Sequence, residues 1–205
     1  MLQGSVDTSF ATGQRDMFES GLAAEIGMNA YGVWMAIKHH ADYDTGRAWP
    51  GYRRLAELTG LNKDTITRTV ARLIDAKLLR VVRAGSQRGR GQTYIARERL
   101  DVRLGARVLC TILIDYVPAR MRGTLNRIDK ALRSGGDDPG AFAEVEIIPG
   151  PGFAWDAEAG VLRASIPASD LPEPAPDPVA RQALAALKSM LPPAVHKQLE
   201  GAPKN

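Results

Sequence analysis

Apolar residues recur at the spacing of an α-helix in four segments of the first half of the chain. They predict helices at residues 17–27, 30–41, 52–59 and 63–76. Asn29 is expected to cap the second of these helices. The residues expected to face inward are, helix by helix, Phe18, Leu22 and Ile26; Val33, Trp34, Ile37 and Ala41; Leu55, Ala56 and Leu58; and Ile66, Val70, Leu73 and Ile74.

The pattern changes to alternation after Lys77. Residues 78–83 and 92–96 then read as two β-strands. The segment 84–91 between them contains three glycines, which permit the tight backbone of a hairpin tip. The sequence therefore predicts a β-hairpin directly after the fourth helix.

The second half of the chain combines one helical pattern with four strand patterns. A strand at 107–116 is followed by a basic helix at 119–134 and by strands at 143–148, 152–157 and 161–166. This β-α-β-β-β succession indicates a small α+β region.

Proline density marks the end of that region. Five prolines between residues 167 and 178 prevent both helix and sheet and indicate a stiff linker. Apolar residues at helical spacing then predict a helix at 179–191. The predicted division of the chain is a disordered arm at 1–16, a first domain at 17–100, a small α+β domain at 101–166, the linker at 167–178 and a helical tail at 179–205.

The most informative run of residues lies between Trp49 and Leu79. Gly60 accepts the backbone conformation that reverses the chain after one helix, and Asn62 offers a side-chain oxygen to a free amide at the start of the next. Aliphatic residues hold this second helix from behind, so its polar face projects outward. A projecting helix fits the major groove of DNA, which is about 12 Å wide.

Polar residues on that outward face are candidates for DNA contacts. Arg68 is predicted to contact a base, because a guanidinium can donate two hydrogen bonds to guanine O6 and N7. Lys63, Thr65 and Arg72 are better placed for phosphates, which fix register rather than read sequence. The full predicted set is Asn62, Lys63, Thr65, Thr67, Arg68 and Arg72, with Arg88 and Arg90 at the hairpin tip, where they suit the minor groove or nearby phosphates.

Residues 29–97 resemble bacterial winged helix-turn-helix proteins that share an aromatic-Pro-Ser, Leu-Ala, Gly-(Ser/Asn)-x-x-Thr-(Val/Ile)-x-Arg and Gly-Leu-(Ile/Leu) pattern. The resemblance implies an α+β chain in which a winged helix-turn-helix domain binds DNA and precedes the small α+β region and the tail helix. Two positions depart from the pattern. Gly51 stands where a serine usually caps a helix, and Lys77 stands where a glycine usually precedes the hairpin. Each departure is expected to cost some local stability.

Charge is distributed unevenly along the chain, whose formal net charge is +4. Residues 63–99 hold ten basic and three acidic residues, a net charge of +7, and residues 118–133 carry +4. Residues 137–177 hold nine acidic residues and one basic residue. This separation suits a polyanionic partner on one side of the molecule, although solvated charged faces are the plainer interpretation.

Several function classes are not expected. Cys110 is the only cysteine and lies in an apolar segment, while His39 and His40 point in different directions on a helix, so neither a catalytic thiol nor a metal site is expected. No cofactor and no enzymatic activity are predicted. Asp115 interrupts the longest apolar stretch and residues 1–13 lack an apolar signal core, which together predict a cytoplasmic protein without a membrane segment.

Two biological roles fit this pattern. The order of a winged helix, a β-rich segment and a Pro-rich acidic tail resembles small replication proteins of broad-host-range plasmids, which implies an initiator that binds origin repeats. The alternative is a transcriptional regulator, such as a repressor, whose second half dimerises or binds an effector. Expected partners are double-stranded DNA, a second copy of the chain and, through residues 179–191, a host replication protein. A protein-only interaction module is the third class.

Overall fold

The structure, a computed structural model, describes residues 13–83, 92–105, 107–134 and 139–167. Its elements in chain order are α1 (Asp16–Glu19), α2 (Leu22–Ile26), α3 (Met28–His39), β1 (Arg47–Ala48), α4 (Tyr52–Thr59), α5 (Lys63–Asp75), β2 (Leu79–Arg83), β3 (Thr93–Leu104), β4 (Arg107–Asp115), α6 (Met121–Ser134), a 3-10 helix (Pro139–Phe142), β5 (Glu146–Pro149), β6 (Phe153–Asp156) and β7 (Val161–Ala164). This order confirms the predicted α+β fold class.

The first predicted helix is wrong, because the chain forms two short helices in place of one at 17–27. Gly21 separates α1 from α2 with a φ of 78°, a left-handed conformation that other residues rarely adopt. The break changes which side chains face inward: Met17 is buried, whereas Phe18 is 52% exposed. Phe18 contacts Tyr31 of α3 edge to face, with ring centroids 5.1 Å apart.

Helices α3, α4 and α5 pack together around fully buried side chains. Trp34, Leu55 and Leu73, one from each helix, have no exposed surface. Gly60 ends α4 with a φ of 70°, so the chain reverses and reaches α5 after two further residues. The predicted bounds of α4 and α5 are confirmed to within one residue.

Two details of these helices correct the sequence predictions. Helix α3 begins at Met28 rather than at residue 30, so Gly27 and not Asn29 occupies its N-cap position. Leu58, predicted to face inward, is 40% exposed. It lies with Met28 along an open groove between α3 and α4, where no further layer covers it within the described residues.

The main sheet is built on β3, which extends well beyond the predicted strand at 92–96. Its first part pairs antiparallel with two strands, so that Ile95 lies opposite both Arg47 of β1 and Arg80 of β2. Its second part pairs antiparallel with β4, and β5 pairs with β4 in turn. From Arg99 onward the strand alternates charged and apolar residues, and pairing with β4 carries that alternation into the sheet.

Helix α6 and the last strands complete the predicted β-α-β-β-β order. Met121, Ile128 and Ala131 of α6 are buried in the same cluster as Ile112 of β4. The strand predicted at 143–148 forms later, as β5, because a 3-10 helix occupies the chain before it. Strands β6 and β7 pair as the expected hairpin.

The apolar core is continuous from α1 to the 3-10 helix. The predicted domain boundaries stay a prediction, and β3 runs through the one placed after residue 100. Of the predicted arm at 1–16, only residues 13–16 are described, and Asp16 already belongs to α1. The tail at 179–205 and the linker beyond Pro167 lie outside the described residues. Among the helices that are described, none has the length and apolar character needed to cross a lipid bilayer.

Candidate nucleic-acid interface

The inner face of α5 is anchored in the core. Ile66 and Leu73 have no exposed surface and Val70 is 1% exposed, as predicted. Ile74 is only half-buried, whereas Thr69, which was not predicted to face inward, is buried. Because these side chains fix one face of the helix, the opposite face is held away from the core.

Asn62 caps α5, as the sequence predicted. Its side-chain oxygen accepts a hydrogen bond from the backbone N–H of Thr65 at 2.8 Å. This bond satisfies one of the amides that a helix leaves without a partner in its first turn. Asn62 therefore positions the start of the helix.

Lys63, Thr67 and Arg68 lie on the exposed face of α5. The Thr67 hydroxyl donates to the carbonyl of Lys63 at 3.0 Å, and Arg68 Nη2 lies 3.5 Å from the half-buried Thr65 Oγ1. In the part of the chain that the structure describes, no carboxylate forms a salt bridge with Lys63 or Arg68. Both charges therefore face solvent without a neutralising partner there.

Arg72 has a structural contact that the sequence did not reveal. Its Nη1 donates to the carbonyl of Ile26 at 3.0 Å and so ties α5 to the end of α2. The guanidinium borders a cleft of about 360 Å³ that is also lined by Thr65, Arg68 and the segment 26–30. The cleft brings two predicted phosphate ligands and the predicted base-contacting residue together.

The hairpin expected beside this helix is formed by β2 and β3. Arg88 and Arg90, predicted at its tip, lie outside the described residues. Lys77, just before β2, adopts a φ of 63°, which is the left-handed region that favours glycine. This geometry explains why a glycine is expected at that position.

The comparison with protein families agrees with this geometry. A family model described as a helix-turn-helix domain matches residues 24–79, which span α3, α4 and α5. Residues 24–79 form a helix-turn-helix domain. Searches of curated proteins and of solved structures gave no match for the chain. In this domain α5 occupies the place of the recognition helix, and the domain indicates DNA binding.

Two exposed residues of the helix-turn-helix domain were missed by the sequence analysis. Trp49 is 63% exposed in the segment just before α4. The Arg53 side chain, in the first turn of α4, is 95% exposed and lies 3.3 Å from Glu57 at its closest. Trp49 is the aromatic residue of the aromatic-Pro pattern. The sequence analysis used that pattern to identify the fold and did not predict that the Trp49 side chain is exposed.

A buried ion pair was also missed. Lys38 of α3 and Glu98 of β3 form a salt bridge, and both residues are 2% exposed. Lys38 Nζ lies 4.2 Å from the ring centroid of Trp34 and 4.1 Å from that of Tyr116. Burial lowers the pKa of Lys38 and raises the pKa of Glu98, and each charge opposes the shift of the other. The position of Lys38 four residues after Trp34, on the apolar face of its helix, was the available signal.

The predictions on Cys110 and the histidines concern residues away from this interface. Cys110 is buried in β4, as expected, and burial raises the pKa of its thiol to about 11. His39 and His40 stack edge to face with centroids 5.4 Å apart. The residues that the structure describes contain no group of three or more potential metal-ligating side chains.

A second cavity, of about 590 Å³, lies where the turn after α3 meets α6. The turn approaches the end of β4 so closely that a Cβ on Gly46 would lie only 2.2 Å from the carbonyl oxygen of Tyr116. Gly46 has a φ of 67°, so both space and backbone conformation require glycine there. The lining residues are Gly13, Gln14, Tyr43, Glu98, Tyr116, Pro118, Met121, Arg122, Leu125 and Asn126.

Proposed function

We propose that this protein binds double-stranded DNA in a sequence-specific manner through α5. The observation that carries the proposal is the division of α5 into two faces. Ile66, Val70 and Leu73 are buried, while Lys63 and Arg68 stay exposed without an acidic partner among the described residues. A helix with this division can enter the major groove without disturbing the core.

The exposed groups suggest separate tasks within the groove. Arg68 is assigned to base contact, because a guanidinium can pair with both acceptors of guanine. Arg72 is already fixed by the Ile26 carbonyl, so its remaining donors are positioned for a phosphate at the cleft beside α2. Lys63, at the start of α5, is assigned to a neighbouring phosphate.

The test begins with selection of a target from a random duplex library, followed by anisotropy titrations of the target and of a scrambled duplex. Arg68→Ala should lose about 1–3 kcal/mol on the target for each lost base contact and little on the scrambled DNA. Lys63→Ala should weaken both duplexes alike and reduce the salt slope by about one. Arg163→Ala, on β7, removes the same charge and serves as the control.

Two results would contradict the proposal. If Arg68→Ala keeps the parent's ratio of target to scrambled affinity, Arg68 does not read a base. If the parent shifts no duplex even at low salt, where phosphate contacts are strongest, the chain is a protein-only interaction module.

For the biological role, the proposal is an initiator of plasmid replication that binds origin repeats. Its support is the resemblance in segment order to small plasmid replication proteins. The second candidate is a transcriptional regulator, which the 590 Å³ cavity between α6 and the turn after α3 favours, because a bound effector there would contact Tyr43 of the helix-turn-helix domain. Partners proposed with these roles are a second copy of the chain and a host replication protein that binds residues 179–191.

The two roles differ in a plasmid maintenance assay. An initiator supplied in trans should sustain a plasmid whose only origin carries the selected repeats, and Arg68→Ala should abolish that support. A regulator should instead bind a palindromic promoter site and leave the plasmid unreplicated. Either role is one of binding rather than catalysis, and the high thiol pKa of the buried Cys110 is consistent with that proposal.

A further inference from the structure

The cavity where the turn after α3 meets α6 combines residues from both parts of the chain. Tyr43 lies in the helix-turn-helix domain and Glu98 in β3, whereas Tyr116 directly follows β4 and Arg122 lies in α6. At about 590 Å³ the cavity is within the size range of small-molecule sites.

Glu98 gives the cavity a buried hydrogen-bond acceptor. Its side chain is 2% exposed, and Lys38 binds Oε1. A carboxylate has about four acceptor positions, so the contact between Lys38 and Oε1 does not use all of them, and Glu98 lines the cavity. Since Lys38 already neutralises the carboxylate, a neutral ligand with N–H donors suits Glu98 better than a second cation, which would leave a buried net charge.

The other lining residues define the rest of the ligand. Tyr116 contributes an aromatic ring, and Met121 and Leu125 contribute apolar surface, so the inner part of the ligand is expected to be flat and largely apolar. Arg122 and Asn126 are exposed on α6 at the rim. Arg122 forms no salt bridge within the described residues, which leaves its guanidinium available for an anionic group.

We propose that this cavity binds a small planar heterocycle whose adjacent N–H donors face Glu98 and whose anionic substituent faces Arg122, as in a guanine nucleotide. Guanine carries a ring N–H beside an amino group, and this pair of donors matches the two oxygens of a carboxylate. The inference concerns a separate site and does not depend on DNA binding by α5.

The experiment measures binding of guanosine monophosphate to the full chain by calorimetry, with adenosine monophosphate and guanosine as comparison ligands. Adenosine monophosphate has the same phosphate but lacks the adjacent donor pair, so it should bind at least about tenfold more weakly. Arg122→Ala should weaken the nucleotide about tenfold and leave guanosine unchanged. Lys130→Ala, another exposed cation of α6 that does not line the cavity, should change neither ligand.

A cavity-filling variant provides a test that needs no change to the buried ion pair. Leu125→Trp should abolish binding while the far-ultraviolet spectrum stays that of the parent. The proposal is overturned if guanosine monophosphate fails to bind at about 5 mM, which corresponds to an affinity weaker than about 3 kcal/mol. It is equally overturned if both nucleotides bind alike, or if Leu125→Trp leaves the affinity unchanged, because binding would then occur at another basic surface.

Discussion

Removing the charge of Glu98 tests how much the buried ion pair contributes to the fold. In Glu98→Gln the side chain keeps its shape, but the Lys38 ammonium loses its counter-charge. Lys38 has a side chain with no exposed surface, so its ammonium stays buried beside an uncharged amide, close to the rings of Trp34 and Tyr116.

The expected cost follows from burial. Breaking a buried pair by removing one partner costs about 3–5 kcal/mol, because the other charge is left uncompensated. The two aromatic rings offset part of this cost through cation–π attraction, which places the expectation for Glu98→Gln near about 3 kcal/mol. The cost is a large share of the typical stability of a domain, about 5–15 kcal/mol.

Urea unfolding followed by circular dichroism measures the change. Lys38→Met combined with Glu98→Gln should recover most of the lost stability, so the double-mutant cycle should give a coupling of at least about 2 kcal/mol. Asp129→Asn, which breaks an exposed pair with Arg133 on α6, is the control and should cost no more than about 1 kcal/mol.

The pH dependence provides a second readout. Burial lowers the pKa of Lys38 in the folded state, so the unfolded chain binds more protons at this group. Stability therefore rises with pH as Lys38 loses its proton, and the deficit of Glu98→Gln should shrink as the pH rises toward the ordinary lysine pKa of about 10.4. This account of the ion pair would be refuted if the free energy of unfolding of Glu98→Gln were within about 0.5 kcal/mol of the parent's. It would also be refuted if the effects of Lys38→Met and Glu98→Gln were additive in the double variant.

Three further predictions follow from single residues. Lys77→Gly should raise the free energy of unfolding by about 1 kcal/mol in urea titrations, because a non-glycine residue at a φ of 63° carries steric strain; no gain would contradict this. Burial by itself would raise the pKa of Asp115, but Arg80 and Arg97 outweigh it and hold the pKa below its ordinary value, so its stabilisation is present above about pH 4 and is lost as pH falls further. The stability gap between parent and Asp115→Asn should accordingly close in acid, and a gap that stays constant there would refute the assignment. Cys110 should react with a thiol reagent only at the rate of unfolding, whereas immediate reaction in the native protein would show that it is accessible.

The candidate interface was largely predictable because its signals are local. Asn62 is recognised as a cap from its type and from the helical pattern that follows it, and the structure places its oxygen on Thr65 N–H. Burial of Ile66, Val70 and Leu73 follows from their spacing, and so does the exposure of Arg68 on the other side. The contact from Arg72 to Ile26 was not predictable in this way, because it joins residues 46 positions apart.

The length of β3 shows a similar limit. Its second part alternates charged and apolar residues from Arg99 onward, a strand signal that the sequence analysis did not use, and pairing with β4 completes the strand. The break at Gly21 was missed because an apolar pattern that continues across a glycine is compatible with one helix or with two. The left-handed conformation of Gly21 decided between these two outcomes.

By itself, the sequence determined most of the order of helices and strands, although not the break at Gly21 or the short strand β1, together with the capped helix with two chemically different faces and the position of the hairpin. Period, capping and turn chemistry act over a few neighbouring residues, so these features can be read along the chain. Only the tertiary structure brought Lys38 to Glu98 and enclosed a cavity between Tyr43 and Arg122. Those groups meet because strand register and helix packing bring distant segments together. Register and packing depend on the whole core rather than on any one stretch of residues.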